Sequence, residues 1–477
     1  MARRLPSDLI EDLKKRLTGN DQVLTPESPG YYKALQRWSD LASKQAGAII
    51  YPECPEDVSS VVVFAQQHNI DLAVKGGGHT PDGANCSDGG IVIDLARMNK
   101  VSLHPNTNTL VAEGGALWRD VNNSTAGTGL AVVSSSIGTT GVGGVTIQGG
   151  YGYAIGEHGL AIDNLLEVQI VIADGKVLRA SENENSDLFW AVRGAGSNFG
   201  VVVEFTFRTF PQPNKVFAGS VVYTTDRLAP ILESMHAALQ YGDGKTAAQC
   251  VLYQPRDSVE LMLNVGLCHN GPEAECRERL AKMFSFEAVS DNMQMRTYEE
   301  ANAMLDSFSP PGGRKRLLGF EFVSPLRLDF VQDMLNEITI AFQSEPDLRR
   351  TYIDIEFWNM VKVSTVPTMA TAFPTREPTQ KGSIALEYTD PAKDDEYLRW
   401  GIKLRDMFRE ELERYGFKPN RHVSNFTYFT EATEMTVEDM YGVNAERLLE
   451  LKQKYDPHAV FNKLNPIRVQ GSKKPVD

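Results

Sequence analysis

The sequence has few cysteines, and their spacing excludes two classes of structure. None of them forms a CxxC pair; they are Cys54, Cys86, Cys250, Cys268 and Cys276. The odd number and the wide spacing predict reduced thiols rather than a disulfide framework. A zinc site needs cysteines and histidines in a cluster, and the sequence offers none, so we expect no metal centre.

Long apolar runs and basic blocks are also missing. No segment approaches the roughly 18 apolar residues that a membrane-spanning helix needs. Acidic residues outnumber basic ones by 62 to 48, which gives a net charge of −14. Binding to nucleic acid or to an anionic membrane surface requires a basic face. We therefore expect neither a nucleic acid nor a membrane as a partner.

The first residues lack the pattern of a secretion signal. Arg3 and Arg4 are followed by no apolar run, because Asp8, Glu11 and Asp12 interrupt it. A signal peptide requires a continuous apolar stretch of about 7–15 residues. The expected location is therefore the cytoplasm.

The length of 477 residues predicts two or three domains, because single cores stop growing at about 250–300 residues. In the first part, residues 48–51 form a predicted strand, and Pro55 opens a helix with apolar residues at helical spacing. Residues 72–74 form a second predicted strand, which leads into a glycine loop. This order predicts a βαβ unit.

Residues 214–430 have a different pattern, in which strands and amphipathic helices alternate. The predicted strands are 216–223, 250–253, 261–265, 319–323, 353–358 and 383–388, and the clearest predicted helices are 228–239 and 330–342. Residues 210–213, which contain two prolines, mark the boundary with the first part. The pattern predicts an α+β domain whose sheet is backed by helices.

The glycine loop of the first part ends in a histidine. Gly76, Gly77 and Gly78 allow positive φ angles and a close approach of main chain to a ligand, and His79 follows them. Backbone N–H groups of such a loop bind pyrophosphate, and a neutral imidazole is a nucleophile that bonds to an electrophilic carbon. The alternative is a tight turn in which the histidine only makes local hydrogen bonds.

A second glycine-rich stretch covers residues 134–159, where hydroxyl side chains are interleaved with glycines. This mixture suits a long, polar, planar ligand that lies along the main chain. Neither stretch has the GxGxxG or GxxxxGK[ST] pattern, so neither a Rossmann dinucleotide site nor a P-loop is supported. The alternative is that the glycines serve close packing between helix and sheet.

Five motifs, in this order along the chain, resemble the vanillyl-alcohol-oxidase (PCMH-type) flavoproteins. Four resemble the FAD-binding domain of that family and lie at residues 51–80, which end in KGGGHT, and at 89–101, 131–165 and 187–211. The fifth, YGVNAERLLELKQKYDPHAVFNKLNPI at 441–467, resembles the closing segment of the berberine-bridge-enzyme-like branch. The resemblance covers residues 48–210 and 441–467, whereas the middle of the chain is only loosely similar.

The resemblance implies an α+β fold with two components. One is a two-part FAD-binding domain of the PCMH type, and the other is a substrate domain built on an antiparallel sheet backed by helices. Residues 1–212 would form the FAD-binding domain, with a PCMH-type core at about 45–212. Residues 213–432 would form the substrate domain, and 433–477 would complete the FAD-binding domain.

The resemblance also implies which residues hold FAD. His79 stands where the branch carries the histidine that is bonded to the flavin 8α carbon. Ile137 stands where many relatives carry a second attaching cysteine, so FAD is expected to be covalently bound through His79 only. The other residues expected at FAD are Lys75, Gly76, Gly77, Gly78, Thr80, Ser136, Gly138, Thr139, Thr140, Gly141, Gly143, Gly144, Gly150, Gly152, Val201, Val203 and Asn465.

The catalytic base is open at this point. Hydride transfer to flavin requires that another group take a proton from the same substrate. Many relatives supply a tyrosine from a Tyr-x-Asn-Tyr motif, but residues 423–428 here are VSNFTY. The candidates are Tyr428, Tyr153, Glu387 and Tyr388, with His158 and His422 as further possibilities. Each has a plain structural alternative as a sheet residue or a solvated side chain.

The resemblance implies an FAD-dependent oxidase. It would remove hydride from a C–H next to oxygen or nitrogen of a small specialised metabolite, with O2 as acceptor and H2O2 as by-product. Thr140, at the position that influences oxygen access in the family, is small enough to admit O2. The alternatives are a flavin-dependent dehydrogenase, a non-oxidative cyclase, isomerase or dehydratase on the same scaffold, and a flavin-binding protein without catalysis.

Overall fold

The structure is a computed structural model that describes residues 4–19, 21–417 and 435–468. The first domain is built from residues before 212 and from the carboxyl-terminal segment. Its strands are β1 (Val23–Leu24), β2 (Ala48–Ile50), β3 (Leu72–Lys75), β4 (Ile91–Asp94), β5 (Val101–His104), β6 (Thr109–Glu113), β7 (Leu130–Ala131), β8 (Leu165–Ile172), β9 (Val177–Ser181), β10 (Gly200–Arg208) and β11 (Phe210–Pro211). Its helices before residue 212 are α1 (Ser7–Lys15), α2 (Tyr31–Ala34), α3 (Pro55–Gln67), α4 (Trp118–Thr125), α5 (Val142–Thr146), α6 (Ile155–His158) and α7 (Ser186–Ala195).

We call the part of the chain that follows β11 the second domain. Its strands are β12 (Val216–Thr224), β13 (Thr246–Tyr253), β14 (Met262–His269), β15 (Ser290–Asp291), β16 (Gln294–Arg296), β17 (Arg314–Phe322), β18 (Tyr352–Phe357) and β19 (Gln380–Tyr388). Its helices are α8 (Leu228–Leu239), α9 (Glu273–Arg279), α10 (Ala281–Phe284), α11 (Tyr298–Asn302), α12 (Leu328–Ser344), α13 (Val361–Ser364) and α14 (Asp394–Arg414). The carboxyl-terminal segment adds α15 (Val437–Tyr441) and α16 (Ala445–Tyr455) to the first domain.

The first sheet, in the order β1-β2-β4-β3, contains the predicted βαβ unit. β2 and β3 both pair in parallel with β4, and α3 makes the crossover between them. Pro55 is the first residue of α3, where its missing N–H costs nothing. Asp57 in the same first turn accepts hydrogen bonds from the backbone N–H groups of Thr18 and Glu53. The glycine loop therefore leaves the carboxyl end of β3, the edge at which parallel sheets bind ligands.

The second sheet of the first domain is antiparallel, in the order β5-β6-β10-β8-β9. Its central strand, β10, pairs with β6 on one side and with β8 on the other. The first half of β10 is apolar and buried on both faces, whereas Glu204, Thr206 and Arg208 in its second half lie on one face that is partly open to solvent. This sheet and the first one together hold the two glycine-rich stretches.

The large sheet of the second domain has the order β15-β12-β14-β13-β18-β19-β17, with β16 beside β15 on β12. All its pairs are antiparallel. Helices α8, α12 and α14 cover one face with a continuous apolar core. The opposite face looks toward the first domain. The mixed helix and sheet architecture confirms the predicted α+β fold class, with an antiparallel sheet backed by helices.

The carboxyl-terminal segment is fastened to the first domain by a buried lysine. The Lys452 ammonium group is fully buried and donates to the Asp456 carboxylate at 2.6 Å and to the backbone oxygens of Asn198 at 2.8 Å and Phe461 at 2.7 Å. Asp456 in turn accepts from the backbone N–H of Phe461 at 2.9 Å. This arrangement brings residues 461–464 back to the edge of the two glycine-rich stretches.

Candidate active site

A cavity of about 920 Å³ lies between the two domains. This volume is near the upper end of what small-molecule and cofactor sites occupy, about 300–1,000 Å³. The first domain contributes the loop after β3, the second glycine-rich stretch and the start of β10. The second domain contributes one face of its large sheet, and the carboxyl-terminal segment contributes residues 461–464.

The glycines at the cavity have two different roles. A Cβ atom on Gly77 would lie 2.5 Å from the backbone nitrogen of Gly141, and one on Gly141 would lie 2.4 Å from that of Gly77. These two glycines therefore let the two loops touch through their main chains. Gly144 differs, because a Cβ there would meet no atom within 4 Å and would enter open space. The first pair serves close packing, and Gly144 leaves room for a ligand.

His79 lies in the cavity wall beside an aromatic partner. Its imidazole is stacked on the Trp38 indole, with ring centroids 5.0 Å apart and planes inclined by 18°. Its Nε2 atom has neither solvent access nor a hydrogen-bond partner among the described residues. Burial, with a smaller contribution from the charge of Lys315, lowers the pKa of His79 to about 4. The imidazole is therefore neutral, and hence nucleophilic, at neutral pH.

Most of the residues that the sequence assigned to the cofactor line this cavity. They are Gly76, Gly77, Gly78, His79, Thr80, Ser136, Thr140, Gly141, Gly143, Gly144, Gly150 and Val201. Gly78 has a φ of +71°, the left-handed conformation for which the sequence provides a glycine. Ile137 also lines the cavity at the position of the missing second cysteine, and no cysteine is among the described lining residues.

Six predicted cofactor residues lie elsewhere. The Lys75 ammonium group donates to both carboxylate oxygens of Asp94, at 3.1 and 3.0 Å, so its charge is used within the sheet. The backbone N–H of Gly138 donates to Asp306 at 2.6 Å, and the Thr139 hydroxyl is buried outside the cavity lining. These three residues support the walls rather than line the cavity.

The remaining three residues are also outside the lining. Gly152 packs against the main chain of Ser134, where a Cβ would come within 1.7 Å of the carbonyl oxygen. Val203 points into the apolar core of the first sheet. Asn465 uses its backbone oxygen to accept from the Asn198 amide at 3.1 Å, and the preceding residue, Leu464, is the one that lines the cavity.

Three of the four candidate bases lie among the described residues, and their surroundings differ. Glu387 lines the cavity and forms an ion pair with Arg350 at 3.3 Å. Tyr388, the next residue on β19, points to the opposite face and packs edge-on against Tyr397 of α14. Strand residues alternate between faces, so these two neighbours do not reach the same site. Tyr388 is thus a core residue and not a base at this cavity.

Tyr153 is likewise outside the cavity lining. Its ring is buried against Trp358, with centroids 6.1 Å apart, and burial raises the pKa of its phenol well above the ordinary value. A phenol in that state does not accept a proton near neutral pH. Tyr151, two residues earlier, lines the cavity instead. Tyr428 lies outside the described residues, and its role stays a prediction.

Two acidic residues at the cavity were not predicted from the sequence. Asp354 and Glu356 are buried, project from the same face of β18 and line the cavity opposite the glycine loops. The Gln249 amide donates to Asp354 at 3.2 Å, and the Trp358 indole donates to Glu356 at 2.7 Å. The signal was the alternation of Ile353, Asp354, Ile355, Glu356 and Phe357, which predicts a strand with one polar face.

The two carboxyl groups form a coupled pair. Burial raises the pKa of Asp354 well above its usual value, and the charge of Glu356 and a hydrogen bond with it raise it further. Burial also raises the pKa of Glu356, but hydrogen bonds from neighbouring donors, Trp358 first, oppose the effect. The opposing hydrogen bonds make Glu356 the more readily ionised member of the pair. The cavity thus holds two buried carboxyl groups, of which Glu356 releases its proton more readily.

Metal clusters and membrane spans are both missing from the part of the chain that the structure describes. It contains no group of three or more metal-binding side chains close enough to hold a metal ion. No helix among residues 4–19, 21–417 and 435–468 has the length and apolar character that crossing a bilayer demands.

Comparison with known proteins places these features in a family. Residues 46–181 match the FAD binding domain, and residues 424–468 match the family described as berberine and berberine like. The FAD-linked oxidoreductase pgmH of Aspergillus terreus is 32% identical over 97% of this chain and 96% of its own length.

Two solved structures have the same fold along nearly the whole chain. The crystal structure of 6-hydroxy-D-nicotine oxidase from Arthrobacter nicotinovorans has a TM-score of 0.81 at 25% identity, covering 98% of this chain and all of its own. A variant of berberine bridge enzyme in complex with (S)-reticuline also has a TM-score of 0.81, at 18% identity, and covers 97% of this chain and 99% of its own. The second likeness concerns the fold alone.

Proposed function

The chain belongs to the FAD-linked oxidoreductases of the berberine-bridge-enzyme-like family, and from that premise we propose how its cavity works. FAD is bonded covalently through His79 alone, and a small specialised metabolite is oxidised at a C–H next to oxygen or nitrogen. O2 is the electron acceptor and H2O2 the by-product. The observation that carries the proposal is that one cavity joins a neutral, half-buried histidine on a glycine loop to a buried carboxyl pair on the opposite sheet.

The residues of the first domain fit FAD. The cavity is large enough, Gly144 leaves space along its wall, and the His79 Nε2 atom is buried without a partner among the described residues. Residues 76–80 and 136–144 would hold the cofactor through main-chain groups and hydroxyls. The bound FAD supplies a hydride acceptor and a route for electrons to O2. Ile137 has no nucleophilic atom, which is why one attachment is proposed rather than two.

The carboxyl pair is the proposed base. A substrate that loses hydride from a carbon must also lose the proton of its O–H or N–H group. The Glu356 carboxylate is desolvated and oriented by the Trp358 indole, so it can take that proton without rearranging water. Asp354 shares the proton and keeps the net charge of the pair low. Glu387 is the second candidate, but its carboxylate is already engaged in an ion pair with Arg350.

The choice between oxidase and dehydrogenase rests on the flavin environment. Thr140 lines the cavity, is buried, and donates its hydroxyl to the backbone oxygen of Ile137 at 2.7 Å. Its short side chain leaves access for O2 at that wall. The oxidase 6-hydroxy-D-nicotine oxidase, at 25% identity over nearly the whole chain, supports the same reaction type. A C–H beside nitrogen or oxygen suits hydride loss, because a lone pair on the adjacent atom stabilises the cation that forms.

The test begins with the visible spectrum of the purified full-length chain and of its washed acid precipitate. Yellow colour in the precipitate of the wild type, and its loss to the supernatant in His79→Ala, is the expected result. His104→Ala is the matched control, since His104 is exposed on β5 and remote from the cavity. A wild-type precipitate without flavin would contradict the covalent assignment.

A substrate panel with simultaneous measurement of product and H2O2 then tests the reaction. Equimolar H2O2 and product support an oxidase. Product without H2O2, formed only with an added electron acceptor, would identify a dehydrogenase. Product that needs no acceptor at all would identify a cyclase, isomerase or dehydratase on the same scaffold.

A further inference from the structure

Trp38 contacts the histidine loop in two ways. Its buried indole lies almost parallel to the His79 imidazole, with a centroid distance of 5.0 Å. Its backbone N–H donates to the carbonyl oxygen of Gly78 at 3.1 Å. The residue therefore fixes both the plane of the imidazole and the main chain that carries it.

Residues of the second domain also hold the indole. The ammonium group of Lys315, on β17, lies 4.7 Å from the centroid of the Trp38 ring. The indole N–H donates to the Ser309 hydroxyl at 2.9 Å. Next to it, the Ser39 hydroxyl donates to the backbone oxygen of Lys315 at 2.7 Å and accepts from its N–H at 3.0 Å. The Trp38 indole thus contacts both the His79 imidazole and a cation from the large sheet.

The bond proposed for His79 demands an oriented imidazole. One hydrogen of the flavin 8α methyl group and one proton of the imidazole are replaced by a single N–C bond. The two protons and two electrons released reduce O2 to H2O2, the acceptor already named for the enzyme. The attacking nitrogen must point at the methyl carbon. Free rotation about the His79 side-chain bonds would leave the nitrogen in this orientation only part of the time and would slow the reaction.

We propose that Trp38 is a positioning residue for this attachment, which holds the His79 imidazole at the orientation in which it bonds to the flavin. Lys315 and Ser309 brace the indole from the second domain. Attachment therefore proceeds only when the two domains are docked, and an isolated first domain would bind FAD without bonding to it efficiently. The inference rests on the proposed bond through His79.

The experiment uses the full-length chain purified from riboflavin-starved cells and then incubated with FAD. Covalent flavin is measured in the acid precipitate over time, and total bound flavin is measured in the same samples before precipitation. The variants are Trp38→Leu, which removes the stack, Trp38→Phe, which keeps an aromatic face but loses the bond to Ser309, and Lys315→Met, which removes the cation. Tyr32→Leu is the control, because Tyr32 is 73% exposed on the same segment.

The initial rate of covalent attachment in Trp38→Leu is expected to fall about tenfold or more. The total flavin bound by Trp38→Leu should stay within about twofold of the wild-type amount, and the attachment rate of Tyr32→Leu should stay within about twofold of the wild-type rate. Trp38→Phe and Lys315→Met should fall between Trp38→Leu and the wild type. A faster attachment in Trp38→Phe than in Trp38→Leu would show that the aromatic stack matters. A general loss of packing would instead lower the total bound flavin.

Two results would overturn the inference, and they differ from failure of the proposed function. Attachment at the wild-type rate in Trp38→Leu or Lys315→Met would show that the stack does not position His79. If Trp38→Leu does not fold, a wild-type rate in both of the milder variants has the same meaning. A wild type that binds FAD only reversibly would remove the covalent bond itself, and with it the basis of this inference.

Discussion

At the scale of single residues, the most informative feature is the pair Asp354 and Glu356. Two residues apart on one strand, they share a face, and both side chains are buried in the wall of the cavity. Two adjacent carboxyls in that environment do not both ionise, because the second charge would be unpaired at low dielectric. A pair that holds one proton and one carboxylate has the charge state that a general base needs.

The first prediction concerns catalysis by this pair. Glu356→Gln removes the carboxylate but keeps an acceptor for the Trp358 indole, and should lower the rate of flavin reduction by about 100-fold or more. Covalent flavin content should stay at the wild-type level, because the pair belongs to the other domain. The measurement is anaerobic stopped-flow reduction with a substrate from the panel. Glu387→Gln is the comparison, and a larger loss there than in Glu356→Gln would transfer the role of base to Glu387.

The second prediction concerns the pH dependence of stability. The folded-state pKa of Asp354 is raised, so the folded protein binds a proton that the unfolded chain releases above about pH 4. Its contribution to stability is fully present below that pH and is lost as the pH rises through the folded-state value. Asp354→Asn replaces the titrating carboxyl group with a neutral amide, so the variant should not lose this stability as the pH rises.

The variant should therefore equal the wild type in stability near pH 4 and exceed it by on the order of 1 kcal/mol near pH 8. Thermal unfolding across this pH range measures the difference. Asp226→Asn, an exposed acid of the same domain, should show no such trend. A gain that is the same at both pH values would indicate a packing effect rather than titration.

At the scale of elements, the short helix α5 places its glycines on the cavity. Val142 and Thr146 are buried, whereas Gly144 faces open space. Its backbone is helical, so replacing the glycine adds no strain and even favours the helix. Gly144 weakens its helix and is not required by packing. We therefore explain it by a ligand that occupies the space beside it.

The third prediction follows from this geometry. Gly144→Leu should fold with undiminished stability but lose most bound FAD, because its side chain enters the space along the cavity wall. Gly144→Ala should retain most of the flavin and gain about 0.5–1 kcal/mol in the flavin-free protein. Flavin-to-protein ratio and thermal unfolding of the flavin-free forms measure both effects. Full flavin loading in Gly144→Leu would mean that FAD does not pass α5.

Helix α16 is the element that closes the first domain. The fourth prediction is that Lys452→Met costs about 3–5 kcal/mol of unfolding free energy, because it leaves the Asp456 carboxylate buried without its cation. Lys454→Met on the same helix is the control: its pair with Asp187 is exposed, and its loss should cost less than about 1 kcal/mol. Denaturant unfolding compares the two. Equal costs would contradict the assigned role of the buried pair.

The sequence predicted elements best where one local pattern decides them. The βαβ unit of β2, α3 and β3 was predicted because proline, acidic first turn and apolar spacing agree. Helix α14, with 21 residues, was missed because its composition is mostly charged. Its buried residues include Tyr397, Leu404 and Phe408, a narrow stripe that becomes recognisable as a core face only beside the large sheet.

At the scale of the whole molecule, the cavity belongs to neither domain alone. The wall from the first domain was predicted because its glycine motifs are local in sequence and His79 is adjacent to its own loop. The wall from the second domain was not predicted, because the polar face of β18 could equally have faced solvent. Only the docking of the two domains makes that face a cavity wall. The choice between Glu387 and Tyr388 stayed open for the same reason, because the sequence does not state which face of β19 is turned toward the cavity.

The last prediction uses the whole molecule as a reporter of the covalent bond. The cavity is shared by the two domains, so FAD bound in it should stabilise both domains together. A cofactor that binds only the folded protein adds about 1.4 kcal/mol for each tenfold rise in its free concentration above the dissociation constant. In His79→Ala the cofactor exchanges with solution, and the unfolding temperature should rise steadily as FAD is added.

With the proposed bond through His79, the cofactor of the wild type is already attached, and its effective concentration does not depend on what is added. Its unfolding temperature should therefore be independent of added FAD, and the same should hold for His104→Ala. At saturating FAD, His79→Ala should approach the wild-type value, because the contacts of the cavity are retained and only the tether is lost. Equal sensitivity of the wild type and His79→Ala to added FAD would contradict the tether. Insensitivity of both, with no flavin in either, would mean that the cavity binds another molecule.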